Sequence, residues 1–435
     1  MQKKAIFYKK NFLIYGFGKS GYASYKFLYK KNNCKIIDDN KKKIPLKYNN
    51  EVITYKQLKK NNFDYIILSP GIDINKCRLS NYLKKNRIKI ITELDLFYLS
   101  YPTIKKITIT GTNGKSTTSK LLFDILKEHR KDVRLTGNIG SPILLERNIN
   151  NNTLFIIEAS SYQLDYSKFF KSEYSLLLNI SPDHLERHGS FKNYIKAKFK
   201  LIQNQSKNNY AFIEKKNYFI ENLIKKNKTK SKIYRVNYQK YQKNFKLITN
   251  NYFRNISNFK NLSFIFAISK SLKLSQKKII EVVNKFKQLD FRQQIIYQSK
   301  KLVIINDSKS TSFSSTLPLL DSLENIYWIL GGIAKKGDLL KLKKKNFRKI
   351  KAYIYGKDKL FFSKILSKKI KFKISKNLNQ SILQVFKDLK QKQDQKKILL
   401  FSPSAASFDQ FKNFEDRGKY FNKIIKKYLK TNFIL

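Results

Sequence analysis

Short apolar runs recur along this chain, and most of them end on glycine, an acidic residue or Ser-Pro. Residues 11–18 (NFLIYGFG), 35–40 (KIIDDN) and 63–71 (FDYIILSPG) have this form, with helical spacing between them. Runs that are apolar at nearly every position fit strands covered on both faces, and their alternation with helices predicts a parallel α/β block over residues 1–102. Pro102 lies near the expected boundary. A second block starts with KKITIT at 105–110, which leads into a glycine loop and an amphipathic helix, GTNGKSTTSKLLFDILKE. TLFIIEAS at 153–160 and YSLLLNISP at 174–182 read as further strands, and NLSFIFAISKSL at 261–272 as a helix. The Lys/Asn/Tyr-rich stretch 205–250 is expected to hold strands and exposed loops. KLVIINDSKS at 301–310, IYWILGG at 326–332, KAYIYG at 351–356 and KILLFSP at 397–403 repeat the strand-and-turn theme. The expected fold class is therefore α/β with three domains, at 1–102, 103–296 and 297–435, in keeping with a 435-residue chain.

Composition narrows the classes. Hydrophobic residues make up 41% and aromatics 14%, too much apolar material for a disordered basic tail. No apolar run approaches the ~18 residues of a membrane span, so no membrane association is expected. The N-terminus lacks the apolar stretch and small-residue cleavage site of a secretory signal. Two cysteines, Cys34 and Cys77, are too few for a disulfide framework or a Cys-rich zinc site, which fits a cytoplasmic setting. Lys+Arg number 91 against 30 Asp+Glu, a net charge of +61. That surplus attracts phosphate backbones. It is spread over the whole length among Asn, Ile, Tyr and Phe, however, and so reads as a bias of composition rather than a specific nucleic-acid surface.

Several motifs carry chemistry. Gly16-Phe17-Gly18-Lys19-Ser20-Gly21 follows a strand, and Asp38 and Asp39 end the next one. Glycines there let the backbone approach a diphosphate, and the acidic residue can accept from a sugar or base. A tight structural turn is the competing reading. Gly111-Thr112-Asn113-Gly114-Lys115-Ser116-Thr117 is a stronger signal, a strand–loop–helix phosphate loop in which Lys115 would neutralise phosphate charge and Ser116 would ligate Mg²⁺. It departs from the usual spacing, with Ile109 at the first glycine position. Glu158 ends a strand beside this loop, where a metal ligand or a helix N-terminal charge would sit. Asp183-His184-Leu185-Glu186-Arg187-His188 places two histidines four apart; on a helix they would share a face as zinc ligands can, but service to an ATP-bound Mg²⁺ suits the neighbouring loop better. The segments Asn306–Ser312 and Ser402–Gly418 are polar clusters after strands, readable as caps or as anion sites.

Together and in this order, GTNGKSTT, EASSYQL, NISPDHLERH, NDSKSTS, LGGIAKKGD and SPSAASFDQFKNFEDRG resemble the Mur ligases, the ATP-dependent amino-acid ligases of peptidoglycan synthesis, and among them the D-glutamate-adding members. The likeness runs from about residue 16 to 418, and no DNPR-type signature of diamino-acid-adding members is present. It implies a Rossmann-like N-terminal domain for a UDP-linked substrate, a central P-loop ATPase domain and a C-terminal Rossmann-like α/β domain for the incoming amino acid. The implied reaction adds D-glutamate to UDP-N-acetylmuramoyl-L-alanine through an acyl phosphate, in a monomer, with ATP and two Mg²⁺ ions. By matching position, Ser20, Asp38 and Asn40 would face the uridine diphosphate, and Asn138 and Ser160 the muramoyl portion. Gly111 to Thr117 with Asn258, Asn261, Arg292 and Asp307 would serve ATP. Ser116, Glu158, His184 and Lys198 would serve the metals, Lys198 as a carbamate. Lys115, Glu158, His184 and Lys198 form the implied catalytic set. Lys309, Thr311, Lys335, Ser407, Phe408 and Phe414 would hold product and D-glutamate. Ser257, Phe291 and Gln294 depart from the family pattern on the adenine side. A folylpolyglutamate synthase and a basic nucleic-acid-stimulated NTPase are the competing functions.

Overall fold

The computed structural model describes residues 5–40, 42, 44–335, 337–390 and 395–430. Among them are sixteen strands in three sheets. The first sheet contains β1 (Asn11–Tyr15), β2 (Asn33–Ile37), β3 (Tyr65–Leu68) and β4 (Ile90–Ile91). Its order is β2-β1-β3-β4, all parallel. The second contains β5 (Lys105–Thr110), β6 (Val133–Gly137), β7 (Leu154–Glu158), β8 (Tyr174–Leu177), β9 (Tyr210–Glu214) and β10 (Lys232–Val236). Its order is β10-β9-β8-β5-β7-β6, again all parallel. The third contains β11 (Gln294–Gln298), β12 (Leu302–Asn306), β13 (Ile326–Gly331), β14 (Ile350–Tyr355), β15 (Lys371–Ile374) and β16 (Lys397–Phe401). Its order is β11-β12-β16-β13-β14-β15, parallel except for the β11–β12 pair.

The central strands are the apolar runs of the sequence. Phe12, Leu13 and Ile14 of β1, Phe155, Ile156 and Ile157 of β7, and Ile304 of β12 are fully buried, as strands covered on both faces must be. The edges are different: β10 exposes Lys232, Arg235 and Tyr234, and β15 exposes Lys371 and Ile374. The stretch 205–250, expected as strands and loops, also holds the helix Tyr218–Lys226 and short helical turns over 238–246. The helix expected at 261–272 starts earlier and spans Ile256–Ser271.

The chain forms two compact units. One comprises Met1–Ile180, Lys192–Ile248 and Lys260–Asn284; the other Ser181–Phe191, Thr249–Phe259 and Lys285–Leu435. Within the first unit, the first and second sheets share a core that includes Phe12, Ile14, Leu94, Phe97, Phe155 and Ile157. Asp95 fastens them. It closes a capping box with Thr92 at the start of helix Glu93–Ser100. Its Oδ1 then accepts from Ser167 Oγ at 2.8 Å and from the N–H groups of Lys168, Phe169 and Phe170 at 3.0, 2.8 and 2.9 Å. A buried carboxylate is tolerable there because several donors replace its water.

In the second unit, Asp388 secures the edge of the third sheet. From helix Leu378–Leu389 it accepts from Tyr353 Oη at 2.6 Å and pairs with Lys351 and Lys373 at 2.8 and 2.9 Å. Burial pushes its carboxyl up, but hydrogen bonds from Lys351, Tyr353 and Lys373 outweigh that and hold it at about 2. The resulting stabilisation is complete above the unfolded carboxylate value, near 4, and is lost as pH falls toward 2. Asp388→Asn is expected to cost on the order of 1–2 kcal/mol at neutral pH, the two lysines being partly exposed. Thermal melts of both proteins checked from pH 7 downwards should still differ at about pH 3 and converge only near pH 2; curves that stay parallel would assign the loss to packing instead.

Candidate active site

Strand order decides what meets at the phosphate loop. β5 lies between β8 and β7, so the C-terminal ends of all three open on one crevice, the switch point where ligands of doubly wound sheets bind. Gly111 follows β5, Glu158 ends β7, and Asn179 follows β8. The helix Lys115–Glu128 begins with no side-chain cap, as suits a helix start that takes an anion. Gly114 has φ +82°, and a Cβ there would lie 2.2 Å from the Asn261 amide nitrogen, so glycine is required on two counts.

The loop is gripped from both sides. Asn179 Oδ1 accepts the Asn113 N–H at 2.8 Å, Asn179 Nδ2 donates to Asn113 O at 3.0 Å, and the Thr112 N–H donates to Asn179 O at 3.0 Å. From helix Phe191–Gln203, Tyr194 Oη lies 3.0 Å from Thr112 Oγ1, and one turn on Lys198 Nζ donates to Gly111 O at 2.8 Å. Lys198 is 1% exposed, with its ammonium 4.8 Å from the Tyr194 ring centroid, so it is no ordinary surface lysine. Lys115 Nζ rests on Gly111 O at 2.9 Å and Thr112 O at 2.8 Å. Ser116 and Thr117 are buried in the first helical turn. Asn179 and Tyr194 were not singled out in the sequence; the only signal for Asn179 was its place in NISPDH at a strand end.

Glu158 is 1% exposed and accepts from Asn138 Nδ2 at 2.7 Å through Oε1. Its Oε2 is buried with no hydrogen-bond partner. A buried orphan carboxylate oxygen beside a phosphate loop suits a cation. Among the described residues, no three His, Cys, Asp or Glu side chains gather into a ready metal centre. Ser160 Oγ is occupied in a capping box with Gln163 at the start of helix Ser161–Asp165.

The first sheet builds a second turn of the same kind. The Phe17 N–H donates to Asp38 Oδ2 at 2.7 Å and the Asn40 N–H to Asp38 Oδ1 at 2.8 Å. Ser69 Oγ donates to Gly16 O at 2.7 Å. A Cβ on Gly21 would meet Gly16 O at 1.9 Å, so the helix Lys19–Leu28 can lie against the turn only with glycine there. Asp38 thus shapes the glycine turn, and Asn40 is exposed beside it.

In the second unit, His184 stands outside its short helix with φ +54°, so it shares no zinc-binding face with His188, which is buried. Its Nε2 is 3.4 Å from Asp183 and its Nδ1 3.6 Å from Glu186. The His184 hydrogen bond holds the Glu186 carboxyl below its ordinary value. Lys335 pairs with Asp183, and both line a small cleft with His184, Ser312, Gly337 and Asp338. Burial raises the Asp338 carboxyl to about 6 while its oxygen accepts the Phe313 N–H at 2.6 Å. Lys309 Nζ lies 4.0 Å and the Arg292 guanidinium 5.6 Å from the Phe414 ring, which brings Arg292, expected on the ATP side, to two residues expected to hold product and D-glutamate. Phe291 packs on Gly418, Asn258 Nδ2 donates to Gln293 Oε1 at 3.0 Å, and Gln294 Nε2 donates to Asp290 at 2.8 Å. Asp307 accepts from Gln293 N at 3.0 Å and Ser402 Oγ at 2.8 Å, and burial pushes it up to about 7. Thr311 is half-buried, Ser407 is buried and Phe408 is 71% exposed.

Comparison with known proteins fits this architecture. Residues 109–315 match the Mur ligase middle domain. Over 97% of the chain and 98% of the relative, the sequence is 34% identical to a protein of Rickettsia felis named UDP-N-acetylmuramoylalanine--D-glutamate ligase. The chain belongs to the Mur ligase family. A protein of the same name from Buchnera aphidicola is 35% identical over 97% of this chain and 98% of its own. The Mur ligase fold is seen again in solved structures: a MurF ligase from Thermotoga maritima in complex with ADP has a TM-score of 0.54 at 14% identity, covering 97% of this chain and 96% of that one. MurC from the same organism has a TM-score of 0.54 at 16% identity, covering 97% and 100%.

Asn179→Ala removes the grip on Asn113 while leaving Lys115 in place. KM for ATP is expected to rise about tenfold, or roughly 1.4 kcal/mol, with the fold retained. Steady-state titration of ATP checks this, and an unchanged KM would show that the loop keeps its shape without Asn179.

Proposed function

We propose that this Mur ligase adds D-glutamate to UDP-N-acetylmuramoyl-L-alanine at the expense of ATP, through an acyl phosphate, in peptidoglycan precursor synthesis. One observation carries the reading: a gripped phosphate loop with Lys115 and the orphan Glu158 oxygen at its mouth lies in a chain alike from end to end to ligases named for that reaction. We assign residues 1–102 to the UDP-linked substrate, 103–296 to ATP and 297–435 to the amino acid.

In this reading the substrate carboxylate attacks the γ-phosphorus, the bond to the ADP oxygen breaks, and the acyl phosphate forms. Phosphoryl transfer needs alignment and charge neutralisation more than covalent help. Lys115 supplies charge by moving from the Gly111 and Thr112 carbonyls onto the transferring phosphate. The neutral amine of D-glutamate then attacks the acyl carbon, the acyl C–O bond breaks, and phosphate leaves, taking up the proton the amine gives off. Lys309, Thr311, Lys335, Ser407, Phe408 and Phe414 hold the amino acid and product, and Ser20, Asp38, Asn40, Asn138 and Ser160 the sugar nucleotide. Asn258, Arg292 and Asp307 complete the nucleotide side.

Two Mg²⁺ ions, when bound, would offset phosphate charge, with Ser116, Glu158, His184 and Lys198 as their protein ligands. Glu158 suits this role through its orphan oxygen. Lys198 as an ammonium is a donor and cannot ligate; a carbamate on its nitrogen would make it an anion. No helix among the described residues is long and apolar enough to cross a membrane. We place the enzyme in the cytoplasm as a monomer, with small-molecule partners and no specific nucleic acid.

ADP release with UDP-N-acetylmuramoyl-L-alanine and a panel of D- and L-amino acids should single out D-glutamate. Lys115→Ala should lower that turnover at least a thousandfold, an interaction worth about 4 kcal/mol at the transition state. Selection of another amino acid, or near-normal turnover of the variant, would refute the assignment. Stimulation by RNA in place of the sugar nucleotide would favour a nucleic-acid-dependent NTPase.

A further inference from the structure

Glu93 is a buried acid that no step above uses and that, unlike Asp95 and Asp388, has no fold-fastening role described so far. It opens the helix Glu93–Ser100 and is 6% exposed. One oxygen, Oε2, receives the hydroxyl of Ser20, which stands in the first turn of helix Lys19–Leu28 directly after the glycine turn. The other, Oε1, is buried without a hydrogen-bond partner. The groups that face it are the Ser20 hydroxyl and the backbone N–H groups of Ile143 and Leu144, in the short turn Ile143–Leu145; no charged side chain among the described residues adds to its field. Asp95, on the same helix, is committed to Thr92 and to residues 167–170.

We propose that Glu93 is a positioning residue for the sugar nucleotide, holding the Ser20 hydroxyl so that its proton is available to the diphosphate. The inference rests on the reading above that Ser20 faces the diphosphate. A hydroxyl has one proton to give. An ionised carboxylate can only accept, so it takes that proton for itself and also brings a second negative charge beneath an anionic ligand. The neutral acid can donate to Ser20 Oγ instead, which frees the serine proton for a phosphate oxygen. Burial favours the neutral form: it raises the Glu93 carboxyl to about 8, with only the Leu144 and Ile143 N–H groups acting the other way. The carboxylic acid is therefore the working form at neutral pH, and ionisation above pH 8 withdraws it.

The test is calorimetric titration of UDP-N-acetylmuramoyl-L-alanine into the full chain between pH 6.5 and 9, with ATP titrated in parallel. Sugar-nucleotide affinity should fall about tenfold between pH 7 and 9, following the neutral fraction of Glu93, while ATP affinity does not follow it. Glu93→Gln, an uncharged isostere with a donor, should abolish the fall. Ser20→Ala should bind more weakly at low pH and also lose the fall, which keeps the inference testable if the Glu93 variant does not fold. A pH-independent wild-type affinity, or a fall that persists in either variant, overturns the role of Glu93 and leaves the ligase reading standing. A wild-type chain that binds no sugar nucleotide at any pH overturns both.

Discussion

Asn179 meets Asn113 through both ends of its amide, and the geometry of the central crevice rests on that pairing. A loop that receives a phosphate must be open enough to be approached yet rigid enough that binding orders nothing. Here the rigidity comes from residues placed later in the chain. β8 delivers Asn179, helix Phe191–Gln203 delivers Tyr194 and Lys198, and helix Ile256–Ser271 delivers Asn261 against Gly114. None of these contacts is local in sequence. The loop has its working shape only when β5 lies between β8 and β7, so folding of the parallel sheet and assembly of the site are one event.

The same device recurs in the other two sheets. In the first, Asp38 at the end of β2 and Ser69 after β3 hold the turn that follows β1. In the third, Ser402 after β16 donates to Asp307 after β12, and the Gly331 N–H of β13 donates to Pro403 O. In the first two sheets a polar side chain just past a strand fixes the backbone just past its neighbour, and in the third the tie runs between two side chains, Ser402 and Asp307, with a backbone bond beside it. Parallel order makes this possible, because it brings the C-terminal ends of adjacent strands to one edge. A single sheet grammar thus yields one anchored turn per sheet, each at the edge where ligands of such sheets bind.

What could be read from the sequence follows from burial. The central strands were legible because both faces are covered and nearly every position is apolar. β6, β10, β11 and β15 were not, since each lies at the edge of its sheet and carries polar or charged residues on the uncovered side. VRLTG and KFKI have neither an apolar run nor a clean alternation. The site showed the same division. The glycine loops stood out because their backbone needs a residue type that is otherwise avoided. Composition and spacing left Lys198 one lysine among many; the family resemblance alone singled it out, and the structure brings it, with Tyr194, against Gly111 and Thr112. Asn179 and Glu93 were silent because their importance lies in partners some 66 and 73 residues away.

The cationic excess bears on the same point. An exposed lysine in water costs little, so a surface can accumulate such residues without disturbing what lies beneath. Carboxylates that receive several N–H bonds are different, because a lysine there would set donor against donor. Asp38, Asp95 and Asp307 each accept from backbone N–H groups, and Glu158 holds Asn138. Only 30 acidic residues remain against 91 basic ones, and these four are fixed by hydrogen-bond polarity rather than by charge balance. The net charge therefore describes the solvent face of the molecule, whereas the crevice is described by which buried groups must accept.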